Sequence, residues 1–345
     1  MVKGLLIASV SIAMMTACTV DEGFDTPEAP NEITFDVTAD NASRQATAPN
    51  YDNITEFTIS ARHNGSLFIN EESVAISTGK WTSRGKNHFW PADNGDVDFF
   101  AYKYDEPAGN AISPVLDIEQ DCARLCMFAV PTEAKSQTTL QYATSMHRTA
   151  EDGSVPVSFS HALSEIAFNA LNSSDELHVE ISGVTISHVH MHGDFIFPAG
   201  RRQVSWDVSA SSPMKSTASF PAKTIMSHEE SIGEEAVMHL IPQSQDNATE
   251  AAGYTDGTCI TFHCAVWHLA DPSKGVQPTD EMLIGEQNPD GSVTFGELHI
   301  PVSINWQPGC RYIYSVNFGA GGISGIPVAG GTMLPIAFSS HTESM

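Results

Sequence analysis

The chain has 345 residues, 41% of them hydrophobic, and sets 16 Lys and Arg against 42 Asp and Glu, a formal charge of −26. That length allows two domains with real cores. So acidic a surface excludes polyanionic partners: no basic patch is present to hold nucleic acid, and an anionic membrane surface repels it. Abundant Thr, Ser, Gly, Asn and Val, with few stretches of helical period, predict an all-β protein.

Residues 1–17 read as a secretory signal, with one Lys, an apolar stretch from Leu5 to Met15 and small residues before Cys18. The stretch is too short for a membrane span. Met15-Thr16-Ala17-Cys18 resembles the bacterial lipobox, with Met15 in place of the usual Leu. That resemblance implies diacylation of Cys18 as the mature N-terminus, and each buried methylene of such a lipid contributes about 0.8 kcal/mol of anchoring. Residues 18–32 are acidic, carry two prolines and lack periodicity, which predicts a flexible tether.

A first domain is expected over residues 33–150. Ile33 to Ala39 alternates as a strand, and a polar loop holding Arg44 follows. FTISAR, SLFINE, HFWPAD, VDFFAYKY and ARLCMFAV give further short strands, with turns at Asn64-Gly65 and Asn94-Gly95. Residues 133–153 are polar and turn-rich, and the boundary is placed there.

The second domain, residues 151–345, opens on VPVSFSHALSEIAFNA. Its apolar residues fall on odd numbers at Val155, Val157 and Phe159, then on even numbers at Ile166, Phe168 and Ala170. This pattern predicts one bent strand with a bulge or short turn between Ser160 and Glu165. Ser160 and His161 are neighbours on a strand and point to opposite faces, so they are no nucleophile and base. Strands recur at LHVEISGVTISHVHMHGDFIF, AVMHLIPQ, TCITFHCAVWHL, GELHIPVSI and CRYIYSVNFG, the spacing of a β-sandwich. A glycine-rich linker then leads to a detached final strand, MLPIAFSS, with Met333, Leu334, Ile336 and Phe338 as its apolar residues. Such a strand either folds back into its own sheet or pairs with another molecule's open edge.

Little in the chain points to chemistry. His188, His190 and His192 would share one face of a strand, Cβ atoms about 7 Å apart, and could bind Zn or Cu. Val189 and Met191 share parity with Phe195 and Phe197, which turns the histidines toward solvent instead, and no metal is expected. Cys122, Cys126, Cys259, Cys264 and Cys310 lack zinc-finger spacing and read as buried thiols or local bridges. There is no nucleophile elbow, HExxH, phosphate loop or dinucleotide fingerprint, and no cofactor is implied. Plentiful carboxylates leave a glycosidase open without selecting a pair. The five tryptophans, Trp81, Trp90, Trp206, Trp267 and Trp306, read as core residues.

VPVSFSHALSEIAFNA also resembles the signature stretch of the fimbrillin family, the subunits of type V pili in Bacteroidales. WPADNGDVDFFAY, TLQYATS, VEISGVTI, LIPQ and WQPGCRYIYSVNFG match in the same order, covering most of the chain from about residue 80. The resemblance implies two tandem transthyretin-like β-sandwich domains in a non-enzymatic outer-membrane lipoprotein, exposed on the surface in a fimbrium that serves cell adhesion. It implies protease processing after an arginine, Arg44 with Arg62 as rival, removal of the N-terminal strand, and capture of another subunit's final strand. Implied partners are other pilus subunits, the outer membrane through the lipid, and a host or bacterial receptor. Cys310 stands where relatives commonly carry a basic residue; the short, polar ending SSHTESM suits a tip or accessory subunit better than a shaft subunit, and an uncut anchor subunit is also compatible with a retained lipid. The alternative from another class is a stand-alone surface lipoprotein that binds glycan or another ligand.

Overall fold

The computed structural model describes residues 31–39, 54–77, 79–105, 114–118, 122–200, 203–319, 326–327, 333–334 and 336–344. These residues form strands and single-turn 3-10 helices, with no α-helix among them. The protein is all-β.

The first nine strands are β1 (Phe35–Ala39), β2 (Glu56–His63), β3 (Ser66–Ser77), β4 (Lys80–Ser83), β5 (Val97–Tyr104), β6 (Val115–Ile118), β7 (Ala123–Ala129), β8 (Leu140–Arg148) and β9 (Val155–His161). Seven of them close into a barrel in the order β1-β4-β3-β2-β5-β8-β9, with β9 returning to β1. The β2–β3 hairpin turns at Asn64 and Gly65, whose φ values of 50° and 73° are those a tight two-residue hairpin requires. Inside the barrel, alternate residues such as Ile59, Val97, Phe99, Val155, Val157 and Phe159 pack into one core.

The following strands are β10 (Ser164–Asn172), β11 (Leu177–His190), β12 (His192–Ile196), β13 (Ser205–Asp207), β14 (Pro213–Thr224), β15 (Glu230–Ser231), β16 (Met238–Leu240) and β17 (Ser244–Gln245). Then come β18 (Cys259–His268), β19 (Glu281–Ile284), β20 (Glu286–Gln287), β21 (Val293–Thr294), β22 (Gly296–Pro301), β23 (Ile304–Asn305) and β24 (Cys310–Phe318). Last are β25 (Ile326–Pro327), β26 (Met333–Leu334) and β27 (Ile336–Ser344). One sheet runs β15-β10-β24-β27 with β16 also on β10, and another runs β14-β11-β18-β19 with β22 also on β18. They face each other as a sandwich: Ile166, Phe168, Tyr314 and Val316 of the first share a core with Val184, Ile186, Ile260 and Phe262 of the second. The rings of Phe168 and Phe262 meet edge to face at 6.0 Å, a favoured aromatic geometry.

A small sheet, β13-β12-β7-β6, joins the barrel to the sandwich. Phe197, just past β12, meets Phe100 of β5 at 5.8 Å, and Phe195 meets Tyr142 of β8 at 4.9 Å. Strand β5 therefore buries both faces, Phe99 inward to the barrel and Phe100 outward to the larger core.

Several expectations are corrected at this level. The stretch from Val155 to Ala170 is two strands in different sheets, divided at Ala162 and Leu163, so its parity change is a change of sheet. The chain passes from barrel to sandwich there, and residues 133–153 contain β8, a barrel strand that buries Leu140 and Ala143. HFWPAD makes only an isolated bridge at Phe89; its Trp90 ring packs against Phe99 at 5.9 Å without strand pairing. Asn31 and Glu32, read as tether, already bond to Trp90 and bridge to Phe89.

Candidate functional site: the first strand and the last

Strand β1 is inserted between strands far from it in sequence. Its alternation sends Ile33, just before the strand, and Phe35 into the barrel core, with Val37 packed against it. The ring of Phe35 meets Phe57 at 6.1 Å and Phe99 at 6.0 Å, edge to face in both cases. On one side the strand pairs in parallel with β9, from Phe35 opposite Val155 to Ala39 opposite Phe159. Two hydroxyl pairs reinforce that side, Thr34 with Ser154 at 2.8 Å and Thr38 with Ser158 at 2.9 Å. On the other side it holds β4 through the single pair Phe35–Trp81. With five residues, one parallel ladder and one bridge, β1 is held almost wholly through β9. Its loss would leave an open sheet with β4 and β9 as edges and an apolar slot lined by Phe57, Phe99 and Val157.

The last strand folds back. All nine residues of β27 pair antiparallel with β24, from Ile336 opposite Phe318 to Ser344 opposite Cys310. The proposed donor residues are therefore divided. Ile336 and Phe338 lie on this ladder, whereas Met333 and Leu334 form a two-residue ladder with Pro327 and Ile326.

Across the outer face of that sheet runs one rung of ionisable residues, His239, Glu165, Arg311 and Glu343, each opposite the next on β16, β10, β24 and β27. Arg311 Nη1 stands 3.1 Å from Glu165 Oε1, whose side chain is only 4% exposed. Burial pushes the Glu165 carboxyl up and Arg311 opposes that shift. Burial also holds His239 down to about 4, so its imidazole is neutral at pH 7. Sequence reading missed this rung. Its one local sign is an acid inside an otherwise apolar strand, SEIAF.

The other predicted residues are dispersed. Cys18 and Arg44 lie outside the described residues. Arg62 is paired on both sides within β2 and donates to Asp98 at 2.8 Å, which shields its backbone from a protease. Val189 and Met191 are buried and the three histidines face away from the core, as the parity predicts. His188 sits in a bulge with φ 60°, and the backbone of His190 is clamped by the Gln243 amide, which accepts from its N–H at 2.7 Å and donates to its carbonyl at 3.0 Å. Among the described residues, the trio with ligand atoms within 4.8 Å of one another is instead Asp96, Asp98 and His147, and Arg62 already occupies Asp98. The five cysteines among the described residues are free thiols, and burial pushes Cys264 up to about 12, far from the reactive thiolate. Trp267 and Trp306 are buried, and Trp81, Trp90 and Trp206 pack against the two cores.

The described residues thus form a barrel joined to a sandwich, with the first strand held almost wholly through one parallel ladder. A sequence model of fimbrillin-like proteins matches residues 35–333, and the chain belongs to that family. The crystal structure of a fimbrial protein from Bacteroides vulgatus shares the fold at 13% identity, with a TM-score of 0.57 over 91% of this chain and 99% of that one. A C-terminally truncated tip fimbrial protein of Porphyromonas gingivalis aligns over 85% of this chain and 95% of its own, at 9% identity and a TM-score of 0.33. No curated protein matches the chain.

Proposed function

We infer that the protein is a non-enzymatic subunit of a type V pilus, held at the outer membrane through Cys18 and joined to other subunits by strand exchange. Membership of the fimbrillin-like family supports a pilus subunit. The observation that carries the exchange is the attachment of β1: one parallel ladder, one bridge, and a connection to β2 that a cut after Arg44 would sever. Removing such a strand exposes unpaired backbone and an apolar slot, and an incoming strand restores both. The complete pairing of β27 with β24 favours a subunit that accepts a strand over one that donates. On that reading the protein is a tip or accessory subunit, with adhesion to a surface receptor as its role.

The test uses protein lacking residues 1–18, treated with limited trypsin. N-terminal sequencing is expected to find a cut after Arg44, with Arg62 spared. The cut protein should then hold a synthetic MLPIAFSS peptide through an unboiled denaturing gel, and Arg44→Ala should not. Absence of capture after a confirmed cut removes the strand-exchange reading. A ladder of multimers from the cut protein alone would make it a shaft subunit.

A further inference from the structure

The outer face of the sheet β14-β11-β18-β22 carries a groove that strand exchange does not use. Between the two bulges of β11, odd-numbered residues point outward and stand in register with those of its neighbours. Thr217, Thr185, Thr261 and His299 form one rung, and Ser219, Gly183, His263 and Glu297 form the next. An ordinary solvated sheet face carries long charged side chains. This one carries hydroxyls and imidazoles, and they are tied together. Thr185 Oγ1 lies 3.2 Å from Thr217 Oγ1 and 2.9 Å from His263 Nε2, while Thr261 Oγ1 lies 3.0 Å from His299 Nδ1. Glu297 joins the two imidazoles, 3.8 Å from His263 and 3.4 Å from His299.

The groove is built, not merely left over. Thr185 and Thr261 are 8% and 7% exposed, so the floor is recessed below the surrounding loops. Gly183 keeps that floor open, since a Cβ there would meet the Ala218 carbonyl at 2.8 Å and the His263 ring at 3.3 Å. One wall is Tyr254, stacked on His299 with centroids 4.6 Å apart and planes at 28°. Tyr254 adopts φ 60°, and its N–H donates to the Thr249 carbonyl at 2.9 Å. Asp256 in turn accepts from the Thr249 N–H and hydroxyl, both at 2.7 Å, which fixes the loop. The groove, open to solvent on one side, offers about 900 Å³, within the range of small-ligand sites.

Charge selects the occupant. In a chain of net charge −26, the groove balances one ammonium, Lys215, against one carboxylate, Glu297. Burial holds His263 below the usual imidazole range, so it offers neutral donors and acceptors. A polyanion finds no cationic cluster here, and the trio of described residues within metal-ligand reach lies elsewhere. A neutral polyhydroxylated ligand matches all of this: its hydroxyls meet the threonine and imidazole ladder, and its apolar ring face meets the aromatic wall. The geometry points to a binding site for a neutral oligosaccharide on this sheet face. It stands or falls independently of strand exchange.

The experiment is a glycan array probed with the full chain in detergent, carrying neutral oligosaccharides beside their sialylated and sulfated counterparts. Titration of the best neutral glycan by calorimetry follows. Saturable binding of a neutral glycan is expected, weakened about tenfold or more by Tyr254→Ala and by Thr185→Val. Tyr254 lies on a loop outside both cores, so Tyr254→Ala should keep the wild-type unfolding midpoint and separates lost contact from lost fold. No neutral binder on the array, binding restricted to the acidic glycans, or a Tyr254→Ala affinity within about twofold of wild type would each overturn the assignment.

Discussion

At the scale of single residues, the rung on the outer face of the β10–β24 sheet is where a small change should have a large effect. Arg311 faces Glu165 on one side and Glu343 on the other. Removing it leaves a buried carboxylate without its cation, which costs about 3 kcal/mol in comparable pairs. Arg311→Ala should therefore lower the urea midpoint substantially, and adding Glu165→Leu should recover much of the loss. Two groups of the rung pull stability in opposite directions with pH. His239 is held down to about 4 against 6.5 in an open chain, so the folded state binds fewer protons between those values. Its contribution is complete above pH 6.5 and falls as pH drops toward 4, a loss of up to about 3 kcal/mol, trimmed by the ring's partial access to solvent. Glu165 is raised, so its protonated form favours the fold and stability falls as pH rises through the folded value. Denaturant titrations at about pH 7 and about pH 4.5 should show acid destabilisation that His239→Gln reduces.

At the scale of elements, β1 is held almost wholly through β9 and Phe35 is its anchor. Phe35→Ala should cost about 3–5 kcal/mol and, more tellingly, should raise protease sensitivity and peptide capture without a cut. Calorimetry and the capture gel measure the two effects separately. The alternation of β1 and β9 was legible in the sequence, because a half-buried strand writes its burial as a period of two. The Asn64-Gly65 hairpin was legible for a similarly local reason, since few residue pairs tolerate that turn. Pairing was not legible. Nothing near Phe35 announces a partner at Val155, and nothing in β7 announces that it joins β12 across the barrel's flank. HFWPAD misled because aromatic residues that pack against a core resemble those of a strand even when the backbone is unpaired. The groove face reads in sequence as plain polar alternation. Only the register of three strands brings Thr185, Thr261 and His299 together.

At the scale of the whole molecule, charge governs encounter. Two copies of a chain carrying −26 repel each other at distance. Any joining of two copies should accelerate with salt as the screening length shortens to about 10 Å at 0.1 M, whereas a neutral short peptide should load at a rate nearly independent of salt. Comparing the two rates by stopped-flow fluorescence distinguishes diffusional repulsion from slow opening of the slot. The ladder between β1 and β9 has a consequence in time. Phe35 emerges from a ribosome or export channel long before Val155, its partner 120 residues on, so β2 to β8 can assemble while that ladder is still unavailable. Contacts so distant in sequence close late. Each newly made molecule thus passes through an interval with the barrel unclosed, in which its own first strand must compete with any other strand within reach.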